Sequence, residues 1–162
     1  MPRVPLSDPV HVADTSHPVL GASLGGYAYV PLSEVGGLTQ FGAHLETLDP
    51  GAQSSHRHWH EAEDELIYVV AGEVVLIEDA ETPLVAGDVA AWAAGSPVGH
   101  CVENRSAQPA SYLVVGTRNK ADVVHYPDAG LSVTLTDRRH RVFRDAAGTV
   151  VAQYSRPPEG AL

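Results

Sequence analysis

Three histidines fall within five residues, at His56, His58 and His60, in a chain that holds nine. On an extended strand, residues two apart project to the same side. His58 and His60 therefore share a face, with Trp59 on the other, and two imidazoles at that spacing can converge on one metal ion. Glu65 opens the next apolar stretch, where its carboxylate can add a ligand, and His100 opens a later one. Three neutral imidazoles and one carboxylate make a borderline-to-hard nitrogen and oxygen set. Such a set suits one divalent ion of Fe, Mn, Ni or Zn, while the lack of a thiolate argues against Cu(I) and iron–sulfur clusters. A rival frame pairs His56 with His58, but it sets Glu65 seven positions after the pair rather than five. His56 is then left to line the mouth of the site. Each piece alone is weak, since a lone histidine is usually a surface or core residue and Glu61–Glu65 alone would be a solvated turn. The joint spacing of the four ligands carries the expectation.

The elements that must position these residues are strands. No long segment has helical periodicity; short runs rich in Val, Leu and Tyr alternate with Gly, Pro and Asp, the pattern of an all-β barrel or sandwich. Strands are expected at 40–48, 65–71, 73–78, 88–92, 99–104 and 110–117. Turn signals separate them at Asp49-Pro50-Gly51, Gly72-Glu73, Ala86-Gly87-Asp88 and Arg105–Pro109. Residues 1–39 read as an N-terminal arm with one or two short strands, the best at 26–30. Residues 40–118 read as the barrel core. Residues 119–162 read as a C-terminal extension with strands at 131–135, 141–145 and 149–154, packing on the barrel or on a dimer partner.

The residues between Gly51 and Asn104 resemble the two motifs of the cupin superfamily. The first motif is matched by Gly51, His58-Trp59-His60, four residues, Glu65, six residues and Gly72. The second begins at Gly87-Asp88 and ends at His100-Cys101-Val102-Glu103-Asn104. Glu63-Asp64-Glu65, Asn104-Arg105-Ser106 and Tyr126-Pro127-Asp128 are similar to blocks of short bacterial single-domain cupins. The resemblance implies a small double-stranded β-helix, or jelly roll, with metal ligands at His58, His60, Glu65 and His100. The sequence departs from the pattern in three places. Six residues, not five, separate Gly51 from His58; Ala93 stands where proline is expected; and four residues, not two, separate Gly95 from His100. The last departure bears on how His100 approaches the metal. Cupins include dioxygenases, decarboxylases, isomerases, lyases and non-catalytic binders, and fold does not choose among them. Four protein ligands leave two positions open on a six-coordinate ion. Dioxygenase-type chemistry on a small organic molecule is the leading expectation, with a sugar or sugar-phosphate isomerase and a sensor module as alternatives.

An isomerase needs a proton shuttle besides the metal. His44 and Glu46 share a face of the strand before the motif and are candidates, with an exposed polar face the more expected role for both. Tyr112 and Trp92 are further candidates for the pocket, and Cys101, on the opposite parity from His100, reads as a buried thiol. There is no glycine-rich phosphate loop; Arg57 and Arg118 are possible anion partners, more simply read as solvated surface.

Composition removes other classes. Twenty acidic against ten basic residues give a formal charge of −10, which opposes nucleic acid and anionic membranes. One cysteine cannot form an internal disulfide, and the proline-broken N-terminus lacks an apolar run. The expectation is a cytoplasmic protein with a small-molecule ligand. A homodimer is expected too, because long β-rich arms commonly hide strand edges by exchange.

Overall fold

The computed structural model describes residues 3–156. The N-terminal segment carries β1 (Val10–Ser16) and β2 (Ser23–Pro31), then a single helical turn, α1 (Leu32–Val35). The barrel follows with β3 (Phe41–Leu48), β4 (Trp59–His60), β5 (Glu65–Ala71), β6 (Glu73–Ile77), β7 (Glu81–Val85), β8 (Val89–Trp92), β9 (Cys101–Glu103) and β10 (Ala110–Thr117). The chain closes with β11 (Ala121–Tyr126), a 3₁₀ turn at Pro127–Ala129, β12 (Leu131–Thr136), β13 (His140–Arg144) and β14 (Val150–Ser155). The fold is an antiparallel jelly roll, as the alternation requires.

The strands form a six-stranded sheet in the order β1-β2-β3-β10-β5-β8, a three-stranded sheet β7-β6-β9, and a C-terminal sheet β14-β13-β12-β11-β4. The first two sheets enclose one apolar core. Leu48, Ile67, Val69, Trp92 and Tyr112 come from the larger sheet and Val74, Leu76, Leu84 and Val102 from the smaller. A second cluster of Val124, Leu131, Val133 and Phe143 belongs to the C-terminal sheet, and Val19 and Leu20 pack against it.

The inner face of the large sheet changes character along its length. At one end Leu48 faces Ala110 across the β3–β10 ladder; two residues on, Glu46 faces Tyr112; two more, His44 faces Val114. On β5 the same face runs from Val69 through Ile67 to Glu65. The buried apolar rungs hold the sheets together, and the polar rungs collect at one end. Gly72 lets β5 reverse tightly into β6. Its φ is +77°, and a Cβ there would meet the Ala110 Cα and the Pro109 oxygen at 3.0 Å.

The strands at 65–71 and 110–117 lie where the sequence places them. β7 and β11 were not anticipated. β7 contains Pro83, which reads as a breaker. It is tolerated because β7 is an edge strand, bonded to β6 alone. The N-terminal segment is more regular than an arm, since β1 and β2 extend the barrel's own sheet through the β2–β3 ladder. Among the described residues no helix is long and apolar enough to cross a membrane.

Candidate metal centre

His58, Glu65 and His100 each offer a ligand atom within 4.8 Å of the others. They reach this point from three parts of the fold. His58 precedes β4, Glu65 opens β5 on its inner face, and His100 precedes β9. An isolated bridge ties the two histidine backbones together, His58 N–H to His100 O at 3.1 Å and His100 N–H to His58 O at 3.0 Å. His60 stands beside them, its ring centroid 5.1 Å from that of His58 and its Nε2 3.9 Å from Glu65 Oε2.

The outward nitrogen of every ring is anchored. His58 Nδ1 donates to the His56 carbonyl at 3.0 Å, and His100 Nδ1 to the Val98 carbonyl at 2.9 Å. His60 Nδ1 donates to Asp122 Oδ2 at 2.6 Å. A neutral imidazole carries one proton, so each Nε2 presents a lone pair. His100 Nε2 lies 3.3 Å from Glu65 Oε2. A lone pair facing a carboxylate oxygen requires a positive charge between them, either a proton on the ring or a cation. A divalent ion satisfies the His58 and His100 rings and Glu65 at once, so these residues fit one, with His60 beside them.

Burial holds the His58 pKa down at about 4, so this ring is neutral at pH 7. Burial alone would raise Glu65; positive charge on the imidazoles around it, with a proton on His100 Nε2 bonded to it, outweighs burial and holds the carboxyl at about 2, and a bound cation would supply that charge in the rings' place. For His60, burial works against protonation, and the Asp122 bond followed by Glu65 reverses it, so its pKa is raised.

The longer loop before His100 does not misdirect the ring. Trp92 stacks on it at 3.6 Å between centroids and 6° between planes, and the indole N–H is itself fixed by Glu78 Oε1 at 2.7 Å. The loop runs close to the 3₁₀ turn: a Cβ on Gly99 would meet Pro127 Cγ at 2.7 Å.

The polar rungs give the centre its second wall. Tyr112 donates to Glu46 Oε2 at 2.5 Å, and Glu46 Oε1 meets His44 Nε2 at 2.9 Å. These three line one cavity of about 190 Å³ with His58, Glu65 and His100. His44 and Glu46 are thus cavity residues rather than an exposed polar face. Burial, then Glu46, raises the Tyr112 pKa well above its ordinary value, so the phenol keeps its proton. A cavity below the ~300–1,000 Å³ of drug-sized pockets suits a small organic molecule.

Other residues are placed differently from expectation. The His56 side chain lines a separate cavity beside Arg57 and Tyr126, and its carbonyl serves His58. Arg57 and Arg118 are not solvated surface. Their side chains are 19% and 13% exposed, with Arg57 paired to Asp79 and Asp128 and Arg118 to Glu34. Cys101 is buried, and its thiol is pushed up to about 11 by burial. Asp122, on β11 of the C-terminal sheet, orients His60. Its signal was a charged residue on the buried parity of β11, shared with Val124. A second acidic group, His60, Glu63 and Asp122, also clusters. Its oxygens are taken by the protein: Glu63 accepts from Asn119 N–H and Arg138, and Asp122 from Ala62 N–H and His60.

Asp122→Asn is expected to lower divalent-metal affinity by about 10–100-fold, because partners that orient a metal-binding histidine typically matter by that factor. Competition with a chromophoric chelator measures it, and an unchanged affinity would remove the orienting role.

A family model of the cupin domain matches residues 44–116. Among solved structures, a sugar phosphate isomerase from a cupin superfamily, from Silicibacter pomeroyi, is 37% identical, with a TM-score of 0.77 over 98% of this chain and 94% of that one. The chain belongs to the cupin superfamily. A second neighbour, from Acidithiobacillus ferrooxidans with a provisional sugar phosphate isomerase name, is 26% identical, with a TM-score of 0.73 over 80% of this chain and 82% of that one. A predicted oxalate decarboxylase of Thermotoga maritima is 26% identical, with a TM-score of 0.51 over 59% of this cupin and 83% of that chain. No curated protein matches this cupin. The first neighbour covers the C-terminal sheet as well as the barrel, so Asp122 lies within the shared architecture.

Proposed function

We propose that this cupin is a metal-dependent isomerase acting on a small polyhydroxy carbonyl compound of the sugar or sugar-phosphate type. The observation that carries the reading is the relay Tyr112–Glu46–His44 on the wall of the cavity that also contains His58, Glu65 and His100. The names of the Silicibacter and Acidithiobacillus neighbours point the same way. His58, His60, Glu65 and His100 would hold one divalent ion, which supplies a Lewis acid to polarise a carbonyl.

The chain's own groups do the rest. Glu46 takes the proton from the carbon bearing the hydroxyl next to the carbonyl and returns it to the former carbonyl carbon. His44, bonded to Glu46, moves the hydroxyl proton from one oxygen to the other, so nothing is gained or lost overall. Tyr112 holds Glu46 in place. Ile67, Val102 and Val114 supply the apolar part of the lining. A relay that can move protons between carbon and oxygen is what isomerisation needs, and it supports this reading over the dioxygenase chemistry expected from the ligand set.

Incubation with a panel of aldoses, ketoses and their phosphates in D₂O is the test. Deuterium should enter at the carbon next to the carbonyl, and a chelator should stop it. Oxygen uptake with catechols or diketones, and no exchange with any sugar, would replace this reading with the oxygenase.

The homodimer is likewise proposed. β1 is an edge strand of the large sheet and leaves Val10 exposed, with Leu6 exposed just before it. A monomeric mass by light scattering at micromolar concentration would refute it.

A further inference from the structure

A second cavity, of about 210 Å³, is lined by His58 and His60 together with Arg141, Arg156, His17 and Tyr126. Among the described residues no Asp or Glu lines it, although acidic residues outnumber basic ones 20 to 10 in the chain. Elsewhere around the centre each guanidinium meets a carboxylate: Arg57 meets Asp79 and Asp128, Arg118 meets Glu34, and Arg138 meets Glu63. Arg141 donates instead to the Arg138 carbonyl at 3.4 Å, and among the described residues no ion pair joins it or Arg156 to an acid. Burial, then the neighbouring Arg156, holds the Arg141 guanidinium below its ordinary value, though it stays charged. His17 adds a neutral donor. Its Nδ1 accepts the N–H groups of Val19 at 3.2 Å and Leu20 at 3.0 Å, which leaves the proton on Nε2.

We propose that Arg141 and Arg156 form an oxyanion site that takes the phosphate of a phosphorylated substrate beside His58 and His60. The assignment rests on the isomerase reading and selects its sugar-phosphate form. Among the described residues neither guanidinium meets an acid, and a phosphate would satisfy both, because the planar fork of arginine matches phosphate oxygens in bidentate fashion. The site does not depend on a glycine-rich loop or a helix end, so no phosphate motif announces it in the sequence. Its two cations lie on β13 and just beyond β14, in the C-terminal sheet, while the candidate ligands lie in the barrel.

Calorimetric titration of the full chain with inorganic phosphate tests the proposal. Arg141→Met and Arg156→Met should each weaken phosphate binding by about tenfold or more, equivalent to ~1.4 kcal/mol. Arg144→Met, on the same strand with its guanidinium on the Gly148 carbonyl, should leave it unchanged. Circular dichroism checks each fold, and the exposed Arg156 supplies a variant with little structural burden. Equal affinity in all four proteins, or no binding by the wild type, would overturn the site, and acetate binding as tightly as phosphate would overturn the phosphate assignment. Metal content is measured alongside. If the protein holds no metal yet its phosphate affinity still depends on Arg141 and Arg156, the oxyanion site stands and the metal-isomerase reading falls.

Discussion

Glu65→Ala will lower the affinity for a divalent ion by more than ~100-fold while the barrel stays folded; loss of a direct ligand should exceed the ~10–100-fold typical of groups that only orient one. Glu65 is the only carboxylate in the cluster it forms with His58 and His100. Without it, three neutral imidazoles face the ion with no negative charge among them. The fold survives because the rungs beneath Glu65 do the packing: Ile67 and Val69 are buried in the main core. The pH dependence follows from the carboxyl held at about 2. A lowered folded-state pKa contributes stability that is present above the ordinary carboxylate range and is lost as pH falls toward about 2. The variant should therefore lose part of the wild type's stability at neutral pH and approach it in strong acid. Elemental analysis after dialysis and a circular dichroism melt read the two halves of this expectation. Metal retained at the wild-type level would mean that the ligands are wrongly assigned.

Glu46→Gln will slow carbon–hydrogen exchange by about 10²–10⁴-fold, the usual contribution of a positioned acid or base. Glutamine keeps the size of the side chain and an oxygen to accept the Tyr112 hydroxyl, so the wall stays in place. It cannot take up a proton from carbon. Metal content should be unaffected, because Glu46 lies outside both ligand clusters. The separation matters: Glu65→Ala loses metal and exchange together, whereas Glu46→Gln loses exchange alone. Tyr112→Phe should have a smaller effect, since it removes one bond to Glu46 and no proton carrier. Exchange at the wild-type rate in Glu46→Gln would leave the isomerase reading without its base.

The sheet and the ligand candidates were legible because they follow local rules. Two-residue alternation placed β5 and β10, and the motif spacing pointed to His58, Glu65 and His100, whose ligand atoms the fold brings within 4.8 Å of one another. The partners of those ligands were not legible, because they are long-range. His60 and Asp122 are far apart in the chain and meet only when β4 joins β11. Trp92 reaches His100 through the pairing of Glu65 with Trp92 across β5 and β8. Arg57 and Arg118 misled for the same reason, since the acids that cover them lie on other segments. The strands least visible in the sequence were those with weak burial or a proline, β1 and β7, whose pairing comes from their neighbours.

The inner face of the large sheet, apolar at Leu48 and Val69 and ionisable at His44 and Glu65, has a consequence for how such a chain can change. The rungs that secure folding and those that carry the ionisable groups are segregated along the same strands, the change of character taking a single two-residue step. A substitution at the polar end alters reactivity without touching the interlocked side chains below it. Selection can therefore explore new reactions at His44 or Glu46 with little change to the core beneath them, and the same strands can serve many catalysts.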